Sequence, residues 1–371
     1  MTSAVMRSVE LLAAAIRGDT APWPPGADAT FQAALLHAAN EQGVAPLLAT
    51  TAAIDAWPDP VKQALRAARR DDAVLEALRR QMLQQVVAAF SAGDVRCLVI
   101  KGAQLGYTHY AHPWLRPRSD TDLLIRPADC GRADAALRAL GYLPKPQISG
   151  SLVNHQLQYE RADRFGLTDT IDLHWKITNP HLFADVLTFD ELVAKANPIP
   201  QLSEALGPSA VHALLLSCVH RVAHHLNSDL LMWLHDIHLL VSAMDARERD
   251  EFVELACRKR VRAICAAGLD NAQRYFGTVH PAGWRNRLDV AASDDPEPSS
   301  VFLRPGARRI DMMLWDLRAL GSWTRKVRLL QETMFPPAAY VRARYGATTP
   351  LAFAYVNRII TGARRWLRPP A

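Results

Sequence analysis

Residues Arg116 to Pro127 read RPRSDTDLLIRP. Asp120 and Asp122 stand two apart at the mouth of a Leu123 to Ile125 run that reads as a buried strand, behind an arginine-rich lead-in. Side chains two apart on a strand share one side, so the two carboxylates can converge on one point. A carboxylate buried without a partner is costly, so the pair calls for one. A hard cation such as Mg2+ suits it, taking a few protein oxygens and filling its remaining sites with water and substrate phosphates. A lone D-x-D recurs by chance, but here it has a context. VRCLVI, Val95 to Ile100, reads as a preceding strand halted at Gly102, with a helix between it and the pair.

A third carboxylate lies in TIDLHWKI, Thr170 to Ile177. Period two puts Asp172 and His174 on one face and Ile171 and Leu173 on the other. Three carboxylates on adjacent strands can hold two metal ions roughly 3.5–4 Å apart, the arrangement used for in-line displacement at phosphorus. Each residue also has a plainer reading. Asp120 and Asp122 fit a turn or helix cap, and Asp172 fits an ion pair with Arg161 or Arg164. Lys101 fits an ordinary salt bridge, and Arg116 simple balance of the acidic cluster. His174 fits a hydrogen bond to a carboxylate, and Trp175 fits the core.

The chain has 371 residues, enough for two or three packed units, and a net charge of +6 with Arg preferred over Lys. That excess favours anionic ligands but shows no basic run interleaved with aromatics, so nucleic acid is a minor option. The five cysteines form no close pair and read as reduced thiols. The N-terminus lacks the pattern of a signal peptide, and no run approaches the ~20 apolar residues of a membrane span. The expectation is a cytoplasmic protein with no membrane partner.

Residues 1–92 read as helical. Leu75, Leu78, Met82, Val86 and Phe90 form an apolar stripe after an Asp71-Asp72 start, with Gly93 as a left-handed cap. Residues 93–200 read as an α/β core. Within it Pro127 opens a helix that stops at Gly141, and HQLQYERA and TDTIDLHWKI form a hairpin around DRFG. Residues 201–290 read as a helical domain, 291–300 as a linker and 301–371 as a basic helical segment. The fold class is α+β: a small mixed sheet with helices, flanked by helical segments.

LVIKGAQLGYTHY, LRPRSDTDLLIRPAD and IDLHWKI together resemble the poorly characterised bacterial nucleotidyltransferases of the DNA polymerase β-like superfamily, whose signatures are K-G, R-x-x-x-D-x-D and D-L-H-W. The likeness extends to LMWLHDIHLLV and, loosely, to FPPAAYVRARYGATTPLAFAYVNRI, and so touches most of the chain from about residue 30. It implies a Mg2+-dependent enzyme with two ions, a nucleoside triphosphate co-substrate expected to be ATP, and an acceptor of unknown identity, a small molecule or a peptide. Asp120, Asp122 and Asp172 would bind metal, and Gly102 would stand at the turn that seats the triphosphate. The superfamily usually has Gly-Ser there, and this chain has Lys101-Gly102-Ala103, so one hydroxyl contact is missing. Lys101, Arg116 and Arg118 would compensate as cations on phosphate, with His174 beside them. Two alternatives stand: a non-catalytic nucleotide-binding protein of the same fold, and a metal-dependent phosphohydrolase of the HD type built on His220, His224 and the His235-Asp236 dyad.

Overall fold

A computed structural model describes residues 3–367 except 149, 164–165, 225–226, 280–282, 290–296, 305–307 and 347. Seven strands form one mixed sheet: β1 (Cys97–Val99), β2 (Thr121–Ile125), β3 (Leu143–Pro144), β4 (Gln156–Ala162), β5 (Thr168–His174), β6 (Asn197–Pro198) and β7 (Leu206–Gly207). Their spatial order is β3-β4-β5-β2-β1-β7-β6. β2 is parallel to β5 and antiparallel to β1, and β4 and β5 form the expected hairpin. The sheet takes its last strand from beyond the 93–200 interval.

Alternation along β2 and β5 sorts the sheet into two faces. Leu123, Ile125, Ile171 and Leu173 pack with Leu83, Val86 and Phe90 of the long Asp59–Ala92 helix and with Ala133 and Leu137 of the Cys130–Ala139 helix. Leu98 and Leu124 face the other way, into a core shared with the helices Ala210–Ala223, Leu231–Ala243 and Arg262–Phe276. Asp122 and Asp172 lie on this second face, so the helical domain roofs the carboxylates. A third core unites the helices Ser3–Arg17 and Ala29–Glu41 with Leu231 and Leu234. Leu231 N–H donates to Gln42 Oε1 at 2.8 Å and Met232 N–H to the Gln42 carbonyl at 3.2 Å, which ties the N-terminal helices to the helical domain.

Several boundaries differ from the sequence expectation. The Asp59–Ala92 helix begins after Pro58, twelve residues before Asp71, because proline at its N-terminus is compatible with helix. Its buried stripe runs through Leu65, Glu76, Leu83, Val87 and Phe90, whereas Leu78 is 40% exposed. Gly93 has φ −90°, and the left-handed residue is Asp94 at φ +53°. Pro127 opens a short 3-10 turn, Pro127–Asp129, before the helix proper. Of the expected linker, residues 291–296 lie outside the described residues, as do Arg164 and Phe165 of the hairpin turn. No helix of the described residues is long and apolar enough to cross a membrane.

Leu124 is 1% exposed and joins the sheet to the helical domain. Leu124→Ala should therefore cost about 2–5 kcal/mol, the usual range for a core leucine truncation, measured as a shift in urea midpoint at unchanged slope.

Candidate active site

The parallel register of β2 and β5 sets Asp122 directly opposite Asp172, and Leu124 opposite His174. Around this pair the polar groups are close. His174 Nε2 lies 2.8 Å from Asp122 Oδ1, and Lys101 Nζ lies 2.7 Å from the same oxygen and 3.4 Å from His174 Nε2. Gln156, on β4, donates to Asp172 Oδ2 at 3.1 Å, while Asp172 Oδ1 is buried with no hydrogen-bond partner. Oxygens of Asp122 and Asp172 and a nitrogen of His174 lie within 4.8 Å of one another, so these three could hold a metal ion. Asp120 stands one residue before β2, half-buried at the rim of the same cleft.

Burial and charge push the two opposed carboxylates apart in acidity. Burial would raise Asp122, but the Lys101 ammonium and His174 outweigh it and hold the group well below the usual carboxylate range. Asp172 is raised to about 7, first by burial and then by the negative charges of Asp122 and Asp120. Asp120 is raised by burial and by Asp122. His174 is lowered by burial and by Lys101, which favours the neutral imidazole. A cation between the carboxylates would relieve this repulsion. The residues present fit in part: Asp172 Oδ1 is buried with no hydrogen-bond partner and is open to a cation, whereas Asp122 Oδ1 already meets the Lys101 ammonium and His174. The His174 nitrogen suits Mg2+ less well and is itself bonded to Asp122.

Lys101 is held in place by backbone geometry. It opens the Lys101–Thr108 helix directly after β1, with φ +55°, a left-handed conformation that is uncommon for a side-chain-bearing residue. Such strain persists where surrounding structure fixes it, and it clusters at functional sites. Gly102 follows for a different reason than phosphate seating alone. A Cβ there would overlap the Arg116 guanidinium, so glycine is what lets that arginine lie against the turn.

The two arginines of the lead-in clamp the loop from opposite sides. Arg116 is buried in a two-pronged pair with Asp236, Nε to Oδ1 at 2.9 Å and Nη2 to Oδ2 at 2.7 Å, and Tyr110 Oη donates to Asp236 Oδ1 at 2.8 Å. Arg118 makes a matching pair with Glu76 of the long helix, Nε to Oε2 and Nη2 to Oε1 both at 3.0 Å. It also donates to the Asp120 carbonyl at 3.1 Å. Tyr107 Oη donates to Glu76 Oε1 at 2.6 Å. Arg116 and Arg118, expected on phosphate, thus line the cleft while also fastening it.

The cleft has a volume of about 490 Å³, and its walls come from three parts of the chain: Asn40 from the N-terminal helices, Asp120, Asp122 and Asp172 from β2, β5 and the loop before β2, and Met232 and Trp233 from the Leu231–Ala243 helix. His220 and His224 line it as well. The His235-Asp236 dyad serves structure: Asp236 holds Arg116, and His235 Nδ1 lies 3.2 Å from Tyr110 Oη. The helix stripe gave a signal for Glu76, since 65, 76, 83, 87 and 90 recur at helical spacing and one of them is charged. Nothing in the sequence joins Arg116 to Asp236, which are 120 residues apart.

Removing Asp236 leaves a buried guanidinium unpaired, so Asp236→Ala should lose about 3–5 kcal/mol of stability by urea unfolding. A second expectation concerns pH. Asp172 is raised in the fold above its unfolded value, so the native chain without added cation loses stability as pH rises from the ordinary carboxylate range through about 7. Asp172→Asn removes the ionisation, so its stability relative to the native chain should be greater at pH 8 than at pH 5.

A model of the family described as "Uncharacterised nucleotidyltransferase" matches residues 29–277. Comparison with curated proteins finds no match.

Proposed function

The chain belongs to this family of uncharacterised nucleotidyltransferases, and on that premise we propose that it is a Mg2+-dependent enzyme. It would transfer a nucleoside monophosphate from a nucleoside triphosphate, ATP being the expected donor, to an acceptor and release pyrophosphate. The observation that carries the reading is the gathering of Asp122, Asp172 and His174 within 4.8 Å, with both carboxylates lining the cleft. Asp120, Asp122 and Asp172 would hold the metal. Bound there, Mg2+ would neutralise charge on the triphosphate and favour departure of pyrophosphate.

The chain's own residues have distinct parts in this scheme. An acceptor hydroxyl or phosphate oxygen attacks the α-phosphorus. The bond to the bridging oxygen breaks, and the electron pair leaves with pyrophosphate. Asp172 helps to activate the attacking oxygen and accepts its proton. Lys101 places an ammonium beside Asp122, where phosphate oxygens would arrive. Gly102 keeps the turn clear for the Arg116 guanidinium, and the buried Arg116–Asp236 and Arg118–Glu76 pairs fasten the loop that carries Asp120 rather than offering their charge to phosphate. His174 orients Asp122 through its 2.8 Å hydrogen bond. The N-terminal and central helices would build the acceptor's side of the cleft.

A second reading has one observation in its favour. Lys101 satisfies Asp122 internally, and Ala103 replaces the serine usual in the superfamily, as a non-catalytic nucleotide-binding protein could tolerate. Incubation with Mg2+ and each triphosphate labelled at the α-phosphorus separates the two. The enzyme reading expects pyrophosphate release or label transfer that falls by at least about a hundredfold in Asp122→Ala and Asp172→Ala, the scale of losing a charge-stabilising group. Tight binding with no turnover, unchanged in Asp172→Ala, would decide for the non-catalytic reading.

A further inference from the structure

The chain's charge is unevenly placed. Residues 301–371 carry 13 Lys and Arg against three Asp and Glu, a net +10, so the first 300 residues are net negative at −4; no carboxylate side chain follows Glu332. Exposed apolar surface is concentrated in the same segment. Of the twelve large apolar side chains left exposed among the described residues, eight lie between Leu314 and Ile360. Exposed apolar clusters of this kind mark interaction surfaces.

The exposed residues fall on stripes. On the Trp323–Met334 helix, Trp323, Val327 and Met334 recur at helical spacing on one outward face, and Trp323 is 79% exposed. On the Leu351–Leu367 helix, Phe353, Val356 and Ile360 do the same, with Phe353 64% exposed. The opposite faces are already committed. Leu329 packs with Leu152 and Leu320, and the Glu332 carboxylate accepts from the backbone N–H groups of Leu152 at 2.9 Å and Val153 at 3.0 Å. Tyr355 Oη donates to the Pro336 carbonyl at 2.7 Å, and Arg358 Nη2 donates to the Thr333 carbonyl at 3.1 Å. The inner faces thus fix the helices to the protein and to each other, leaving the stripes outward. Arg325 on the first helix and Arg342 and Arg344 on the Ala338–Tyr345 helix between the two are exposed, and Arg328, also exposed, pairs with Glu332 at 2.9 Å.

We propose that the C-terminal helices form an interfacial element that docks on an anionic lipid surface. Aromatic and aliphatic stripes enter the headgroup boundary of a bilayer, and the surrounding arginines meet its negative charge. A second copy of this chain fits poorly, since two segments each of net charge +10 would repel. A nucleic acid would reward the arginines but not Val327, Val356 or Ile360, which offer nothing to phosphates or stacked bases. The expectation of no membrane rests on the lack of a spanning run, and an interfacial helix needs none.

The test is flotation of the full chain with vesicles of phosphatidylcholine alone and of an equimolar mixture of phosphatidylcholine and phosphatidylglycerol. The chain should float with the anionic vesicles only, less so as salt rises. Binding should weaken by at least about tenfold in Phe353→Glu with Val356→Glu, and likewise in Arg342→Glu with Arg344→Glu. All four positions are exposed, so thermal midpoints should stay those of the native chain and separate lost binding from lost fold. No binding to anionic vesicles, or equal binding by the Phe353→Glu, Val356→Glu chain, overturns the proposal. So does a dimer in light scattering that the same substitutions dissociate, or a single-stranded oligonucleotide whose binding they abolish.

Discussion

Two buried carboxylates facing each other across parallel strands are the constraint around which this protein is arranged. Asp122 and Asp172 are each 8% exposed and paired in register, and like charges so placed cannot both ionise freely without a cation. The fold answers with an internal one. Lys101 is brought to Asp122 by a left-handed backbone turn at the end of β1, and His174 completes the contact from the same face of β5. Asp172 is left as the less acidic partner with one oxygen unpartnered, which is the asymmetry a site needs when one carboxylate must stay charged and the other must exchange a proton or a ligand.

Holding the carboxylates at that spacing demands a rigid approach to β2, and the lead-in supplies it through charge pairs rather than apolar packing. Arg116 reaches the helical domain at Asp236, and Arg118 reaches the long helix at Glu76. The four side chains are each at most 7% exposed, so neither pair is the weak, screened surface kind. Buried pairs add little net stability over apolar packing, but losing one partner is severe. They therefore act as register pins: the loop fits only when both helical blocks are in place. The need for glycine at 102 follows from the same clamp, because the Arg116 guanidinium lies where a side chain would be.

This explains which parts were legible in the sequence. Period two in TIDLHWKI placed Asp172 and His174 on one face without further help, and the hairpin around DRFG followed from the turn and the alternation of its second arm. Of the D-x-D pair, alternation placed Asp122 in β2, opposite Asp172, whereas Asp120 precedes the strand and is not part of the Asp122, Asp172 and His174 cluster. The pairing of Arg116 with Asp236 was not, since long-range partners leave no periodic trace, and both residues had local explanations of their own in phosphate binding and in an HD dyad. The start of the long helix was misplaced because Asp71-Asp72 imitates an N-terminal signal, whereas the stripe through Glu76 continues unbroken on both sides of it.

The same physics links the site to the rest of the chain. The cleft's wall takes Asn40 and Met232 from elements tied by the Gln42 hydrogen bonds, so the N-terminal and central helices meet the sheet as one body at the carboxylates. A shift of either helical block would be transmitted through Arg116 or Arg118 to the backbone leading into Asp120, and from there to Asp122, one residue into β2. Any group pressing on those walls would therefore be felt in the spacing of the carboxylates without touching either aspartate.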